Sequence, residues 1–349
     1  MNTYSLMVVE VRQETFDTVT ICFKQPGLKK IKYQPGQYLT LIFRINGRRY
    51  IRPYSFSSAP GVDQYLEVTI KRVPNGIVSN HICDKVVAGD IIEVMQPLGD
   101  FVVNPNLVPV NRHLVLWGVG SGITPLMSIA KYTLKTNPDD KVTLVYGNRN
   151  AESVIFSDKI KQLKETYPDK FREWHFHTQL KIDQAHATLI EGRINPSKVL
   201  AIMHEAGELE NTLHYICGPT GLKDSVKAAL NSINIPEGHI FSEDFELVKD
   251  PKDFEDIVTR DIKIDFGGTV SNVEAVKGKS LLEAGLDAMI DLPYSCQTGN
   301  CSVCKGKVIS GEVRMIGVKE VPHDLGSDEC LMCCSYAVSD GVHLLVDNL

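Results

Sequence analysis

Cys296, Cys301 and Cys304 share one loop with the spacing Cys-x4-Cys-x2-Cys, and Cys330, Cys333 and Cys334 follow near the C-terminus. Three close cysteines with a fourth further along form the plant-type pattern for a 2Fe-2S cluster. Its two ferric ions call for four soft, anionic thiolates in tetrahedral geometry. Ser295, Thr298, Gly299 and Asn300 sit in the same loop and can turn backbone N–H groups toward sulfur, with Gly299 allowing close approach. The alternatives are a zinc site and cysteines buried as small apolar groups. Zinc favours ligand pairs two to four residues apart, often with His, and this loop concentrates three cysteines instead. On residues alone, Cys330, Cys333 and Cys334 are all near enough to supply the fourth ligand.

Two further groups of residues suit phosphate and a flat heterocycle. Gly118, Gly120 and Gly122 stand between an apolar strand-like run (114–117) and a helical stretch (123–135) with Pro125 in its first turn. That is the context in which a glycine turn cradles phosphate. The turn departs from Gly-x-Gly-x-x-Gly and has no acidic residue in a clear ribose-binding position, so a plain tight turn explains it equally well. In the N-terminal part, Arg52, Tyr54 and Ser55 cluster, and Lys71, Arg72, Gly76 and Ser79 follow one strand later. An arginine fork and a backbone turn suit a pyrophosphate, and an aromatic ring suits a heterocycle. His113, His175, His177 and His323 read as structural or surface residues, and no acid-base triad is required.

The elements that must position these groups fall into three textures. Up to about residue 105, short alternating or β-branched runs (6–11, 19–23, 38–45, 66–72, 91–94) are punctuated by Gly27, Gly36, Gly47, Gly61 and Gly89, as in a closed antiparallel β-barrel. From His113, strand runs (141–146, 171–178, 213–217) alternate with helices (157–167, 220–233), which predicts a parallel α/β sheet. A polar segment, 248–258, reads as a linker. Beyond it, 261–266 and 270–276 predict a hairpin across Gly267 and Gly268. A short helix, 280–288, follows with Ser280 as N-cap and Glu283 three residues on. The expected domains are 1–108, 109–247 and 260–349, with a linker over 248–259.

A formal net charge of −6 without clustered Lys and Arg argues against nucleic-acid binding. The N-terminus does not read as a signal peptide, and no apolar run approaches the roughly 20 residues that span a membrane. Nine cysteines without an export signal argue against a disulfide framework. A cytoplasmic protein is expected.

Taken together, these residues resemble the ferredoxin-NADP reductase superfamily with a plant-type ferredoxin domain fused at the C-terminus, and the likeness covers almost the whole chain. Arg52-Pro53-Tyr54-Ser55 is similar to the flavin motif Arg-x-Tyr-Ser, and Gly76-Ile77-Val78-Ser79 to the flavin-phosphate motif Gly-x-x-Ser. Gly118 to Pro125 resembles the nicotinamide loop, Cys217-Gly218-Pro219 its later Cys-Gly-Pro segment, and Pro293-Tyr294-Ser295-Cys296 the opening of the ferredoxin loop. Among family members the reductase components of multicomponent oxygenases, particularly the phenylacetyl-CoA epoxidase reductase type, share this domain order.

The resemblance implies a flavin β-barrel, an α/β nucleotide domain and a β-grasp (α+β) ferredoxin domain, with FAD, NAD(P)H and a 2Fe-2S cluster as cofactors. It implies Cys333 as the fourth ligand, because 331–336 fits the family segment only with that choice. It further implies Ser55 near the flavin N5, Tyr54 along the isoalloxazine and Arg52 at the pyrophosphate. Lys71, Gly76, Val78 and Ser79 would hold the flavin phosphates. Gly118, Gly120, Ser121, Gly122, Thr124, Pro125, Arg149, Cys217, Gly218 and Pro219 would border the nicotinamide nucleotide. Cys217 would lie nearest the hydride-donating carbon, and Phe245 would cover the flavin unless it is part of a final core strand. Arg149 and Lys181 could meet a 2′-phosphate, leaving NADH and NADPH both open. The implied partner is an electron-accepting oxygenase or hydroxylase component. A hybrid-cluster protein, a desaturase, a carotenoid hydroxylase, or a role as a non-enzymatic electron carrier are the rivals.

Overall fold

A computed structural model describes residues 3–27, 30–104, 106–108, 111–179, 188–206, 209, 211–318, 321–322 and 324–347. His323 and Lys181 lie outside the described residues. Tyr4–Leu39 with Tyr54–Asp244 form one compact unit, and Thr40–Pro53 with Phe245–Leu349 form a second.

The N-terminal strands are β1 (Thr3–Thr15), β2 (Thr18–Phe23), β3 (Tyr38–Ile45), β4 (Arg48–Ser55), β5 (Leu66–Lys71) and β6 (Ile91–Met95), with one helix, α1 (Ile77–Lys85), between the last two. In the first unit the strands run β6-β1-β2-β5, with β1, β2 and β5 antiparallel. The chain leaving β4 continues alongside β5, where Ser57 N–H donates to Glu67 O at 2.9 Å. Five of these strands fall on the predicted runs. β4 does not, because Arg48, Arg49, Arg52 and Pro53 break the apolar alternation. A proline and several charges suit an edge strand, and β4 is one. It is reached through a two-residue turn in which Asn46 and Gly47 both have positive φ (51° and 80°), the geometry that matches strand twist.

The same unit continues with β7 (His113–Val119), α2 (Ile123–Thr136), β8 (Lys141–Asn148), α3 (Ser157–Thr166), β9 (Phe171–His177), β10 (Leu189–Glu191), α4 (Pro196–Ala206), β11 (Thr212–Cys217), α5 (Thr220–Ser232) and β12 (Ile240–Glu243). Its six strands are parallel in the order β10-β9-β8-β7-β11-β12. Buried apolar clusters cover both faces, as a parallel sheet requires. Lys131 pairs with Asp63 (2.6 Å) and Lys159 with Glu67 (3.0 Å), tying α2 and α3 to the β-strand region.

His214 sits in the middle of this sheet with no exposed surface, its Nδ1 accepting from Trp117 Nε1 at 3.2 Å. Burial pushes its pKa down to about 3, and that of His113, bonded to Thr143 Oγ1, down to about 4. The unfolded chain takes up these protons near pH 6.5 and the folded one does not, so stability falls as pH drops below that value. Urea unfolding at pH 7 and pH 5 should show this loss. His214→Asn, which still offers Trp117 an acceptor but cannot charge, should show a shallower loss, and an unchanged slope would refute the assignment to His214.

In the second unit, β13 (Arg260–Phe266) and β14 (Thr269–Ala275) pair antiparallel across Gly267 and Gly268, both at positive φ. Helix α6 (Leu281–Asp287) follows with the predicted capping box: Ser280 Oγ accepts from Glu283 N, and Glu283 Oε2 from Ser280 N. The remaining strands are β15 (Lys305–Ser310), β16 (Val313–Met315), β17 (Glu329–Leu331), β18 (Ser335–Ala337) and β19 (His343–Val346). They complete a sheet ordered β14-β13-β19-β15-β17 and a two-stranded β16-β18. β13 and β19 are parallel neighbours.

The 248–258 segment is packed against this fold. Phe254 meets the Tyr336 ring edge-on at 5.0 Å, Ile257 is buried, and Asp256 receives two hydrogen bonds from Arg314 (2.9 and 2.7 Å). No helix of the described residues is long and apolar enough to cross a membrane.

Candidate functional site

The cysteine loop follows α6 and enters β15. Gln297 and Ser302 adopt positive φ (59° and 56°) along with Gly299 (80°), so the loop curls tightly. Cys296 N–H points at Cys301 Sγ and Thr298 N–H at Cys296 Sγ, each at 3.4 Å. The thiols form two pairs. Cys301 hydrogen-bonds Cys296 and holds it down to about 5, while its own pKa is driven up by that same bond. Cys304 and Cys333 are joined in the same way, which drives Cys304 up, and Cys333 is also bonded to Cys334, which pushes it up.

Among the described residues no three ligands converge on one metal ion. A 2Fe-2S cluster would draw its four protein thiolates from these cysteines and would supply one-electron chemistry there. Adjacent thiols cannot all ionise without a cationic centre between them, so these four cysteines fit a bound cationic cluster. Cys334 Sγ donates to Leu331 O at 3.3 Å while also lying against Cys333 and the Gly299 turn, and Cys330 is buried in β17.

The glycine turn is explained by three different constraints. Gly120 has φ +56°. A Cβ on Gly118 would stand 2.9 Å from the Leu126 side chain, and one on Gly122 only 2.0 Å from Cys217 O. Gly122 thus lets the start of α2 pack on the end of β11. Thr124 Oγ1 donates to Ser121 O (3.0 Å) and Tyr146 Oη to Gly120 O (2.9 Å), which fixes the turn. Pro125 lies buried in the first turn of α2, and Pro219 caps α5. Gly122→Ala should destabilise the protein by about 1–3 kcal/mol, the range for overpacking, and weaken nucleotide binding. Gly221→Ala, where a Cβ meets nothing within 4 Å, is the control in thermal unfolding and NADH titration.

At the ends of the parallel strands, Gly118, Cys217 and Glu243 lie side by side in register. Ser55 and Cys217 are buried, and Ser55 donates a hydrogen bond to Glu243. Burial pushes Glu243 up to about 8, leaving its Oε2 without a partner. Burial, then the Glu243 charge, pushes the Cys217 thiol up, so it is no nucleophile at neutral pH. Glu243 escaped sequence reasoning, although an acid closing a buried strand two residues before Phe245 was a usable signal. Phe245 itself lies past the end of β12 and is 46% exposed, so it is not part of a core strand. At the ends of β8 and β9, Asn148 Nδ2 and His177 Nε2 are buried without partners, at the carboxyl edge where α/β sheets bind ligands. Arg149 is exposed beside them.

On the β-strand side, Gly76 precedes α1, and a Cβ there would meet Ser79 Oγ at 2.8 Å. Ser79 Oγ accepts from Val73 N–H (3.1 Å), and Val78 is buried beneath the helix start. Lys71 Nζ lies 3.5 Å from Asp17. In the second unit, Arg52 Nη1 donates to Ile51 O at 2.8 Å, with the half-buried Pro53 next to it, while Tyr54 is half-buried in the first.

Three family models match this chain: an oxidoreductase FAD-binding domain over residues 5–103, an oxidoreductase NAD-binding domain over 116–228 and a 2Fe-2S iron-sulfur cluster binding domain over 266–338. The ferredoxin reductase component of 3-ketosteroid-9-alpha-monooxygenase from Rhodococcus rhodochrous is 33% identical over 360 residues, covering 98% of this chain and 96% of that protein. The chain belongs to the ferredoxin-NADP reductase family with a fused 2Fe-2S domain. This reductase is an NAD(P)H oxidoreductase whose cofactors are FAD and a 2Fe-2S cluster. It is also similar to one of the subunits of the 1,2-phenylacetyl-CoA epoxidase of Escherichia coli K12, with 32% identity over 96% of this chain and 93% of that one. Its fold is similar to that of phthalate dioxygenase reductase, with a TM-score of 0.68 over 99% of this chain and 98% of that one at 22% identity.

Proposed function

We propose that this reductase takes hydride from NAD(P)H and delivers single electrons to a partner oxygenase or hydroxylase component. The observation that carries this is the end-to-end match to reductase components of oxygenase systems, together with a C-terminal loop whose thiols come in two pairs. The domains would be 1–108 for FAD, 109–247 for the nucleotide and 260–349 for the cluster. Nine cysteines without a disulfide support a cytoplasmic setting.

Bound FAD accepts two electrons together and releases them singly to a 2Fe-2S cluster, which is the conversion that a nicotinamide donor and a one-electron acceptor require between them. Arg52 anchors the flavin pyrophosphate through a guanidinium that Ile51 O already orients. Val78 and Ser79 offer backbone N–H groups at the start of α1 to phosphate oxygens, Gly76 leaves room for their close approach, and Lys71 is the nearby cation. Tyr54 packs on the isoalloxazine. Gly118, Gly120, Ser121, Gly122, Thr124 and Pro125 form the nucleotide turn, Gly218 and Pro219 close it from α5, and Arg149 stands at the far end of the strand edge. Ser55, whose hydroxyl is bonded to Glu243, borders the reacting edge of the flavin, and Cys217 is a neutral wall beside the nicotinamide. Cys296, Cys301, Cys304 and Cys333 are the cluster ligands.

The test is an anaerobic visible spectrum of the purified protein titrated with NADH and with NADPH. Bleaching of both flavin and iron-sulfur bands by either nucleotide supports the proposal and identifies the donor. Absence of bleaching by both overturns it.

A further inference from the structure

Residues just ahead of the first cysteine make a buried contact with β3 and β4. Tyr294 and Ser295 are 3% and 1% exposed, and Thr40 and Ile51, which they meet, are fully buried. The Ile51 N–H donates to Tyr294 Oη at 3.1 Å, and the Thr40 and Ser295 hydroxyls lie 2.7 Å apart. Because β4 is an edge strand, its outward N–H groups find no partner within the sheet, and Tyr294 supplies one. The carbonyl of the same residue, Ile51, accepts from Arg52. Around this buried pair lies a rim of more exposed contacts: Arg49 to Asp291 at 2.9 Å, and Arg48 to Leu286 O at 3.3 Å and Asp287 at 3.4 Å. Such exposed ion pairs hold little by themselves. Two buried hydrogen bonds are different, since separating the surfaces without water entry leaves their groups unmatched.

We propose that Tyr294 and Ser295 are positioning residues that clamp the entry of the cluster loop onto the Thr40 and Ile51 backbone of the same unit. Cys296 follows Ser295 directly, and Arg52 follows Ile51 directly, so the clamp links the two cofactor-holding segments through one hydrogen bond and a few covalent bonds. The clamp holds the first cluster cysteine at a set place relative to Arg52 within that unit. This rests on Arg52 as a flavin residue and Cys296 as a cluster ligand.

The experiment uses the full-length holoprotein and compares wild type, Tyr294→Phe, Tyr294→Phe/Ser295→Ala and the conservative Thr40→Ser. Hydrogen exchange of the Ile51 amide should accelerate at least 10-fold in Tyr294→Phe, which keeps the ring and removes only the acceptor. In anaerobic single turnover, the double variant should retain its iron content and its rate of flavin bleaching by nucleotide, while cluster bleaching slows at least 10-fold. Thr40→Ser, which keeps the hydroxyl, should behave as wild type. Unchanged exchange at Ile51 in Tyr294→Phe overturns the clamp. Faster exchange with cluster bleaching at the wild-type rate overturns the positioning role. A wild-type protein in which nucleotide bleaches flavin but never the cluster overturns the functional reading beneath it.

Discussion

Cys304→Ala and Cys333→Ala should each abolish the iron-sulfur absorption and the reduced-cluster EPR signal, while NAD(P)H still bleaches the flavin. Each removes one thiolate from the Cys304–Cys333 pair. The cluster would be left one thiolate short, and a neutral methyl cannot replace the lost charge. Reduction of cytochrome c should fall by more than the roughly 100-fold that losing a mere supporting partner costs at a metal site. Cys334→Ala and Cys330→Ala should keep the cluster, because the Cys334 thiol already donates to Leu331 O and Cys330 is enclosed in β17. Loss of the cluster in Cys334→Ala with retention in Cys333→Ala would reverse the ligand assignment.

The second large effect concerns the Ser55–Glu243 pair. Glu243 is raised to about 8 by burial, so at pH 7 it is neutral and accepts the Ser55 hydroxyl without placing a charge beside Cys217. Ser55→Ala removes the hydroxyl that links Glu243 to the flavin edge, and stopped-flow flavin bleaching should slow by about 100-fold, the lower end for a group positioned in proton transfer. Glu243→Gln keeps a neutral side chain of the same shape and should slow the step less. The two differ most with pH. In the wild type, ionisation of Glu243 above about pH 8 puts an unmatched negative charge in the sheet edge, and bleaching should fall there; in Glu243→Gln that limb should vanish.

Stability follows the same group. The unfolded carboxyl loses its proton near the ordinary value of 4.5 and the folded one near 8, so Glu243 favours the folded state below pH 4.5 and that contribution is lost as pH rises to 8. Denaturant unfolding of Glu243→Gln should lack this decline. A wild-type bleaching rate that is flat from pH 7 to 9 would show that Glu243 stays neutral throughout or plays no part.

Much of the architecture is legible in local patterns. Period-two runs marked five of the six N-terminal strands, and alternating strand and helix runs marked the core of the parallel sheet. The hairpin across Gly267 and Gly268 and the Ser280 capping box are local chemistry, and both occur where expected. β4, α1, α4 and β12 were not anticipated. Charged and mixed segments such as 48–55 have a period that burial sets, and burial belongs to neighbours far away in sequence.

The cluster loop needs nothing beyond its own residues to be recognised: the Cys-x4-Cys-x2-Cys spacing with Gly299 is a short-range motif, and a short loop has few ways to present three thiols. The glycine turn before α2 is equally local, since its conformations follow from missing side chains. Folding was required to set a late cysteine beside Cys304, to bring Glu243 to Ser55, to press Gly122 against Cys217, and to carry Tyr294 to Ile51. Each of these joins groups widely separated along the chain, and each depends on a buried distance that no local spacing encodes. Motif chemistry is written in bond geometry over a few residues, whereas desolvation and hydrogen-bond partnership are properties of the packed interior.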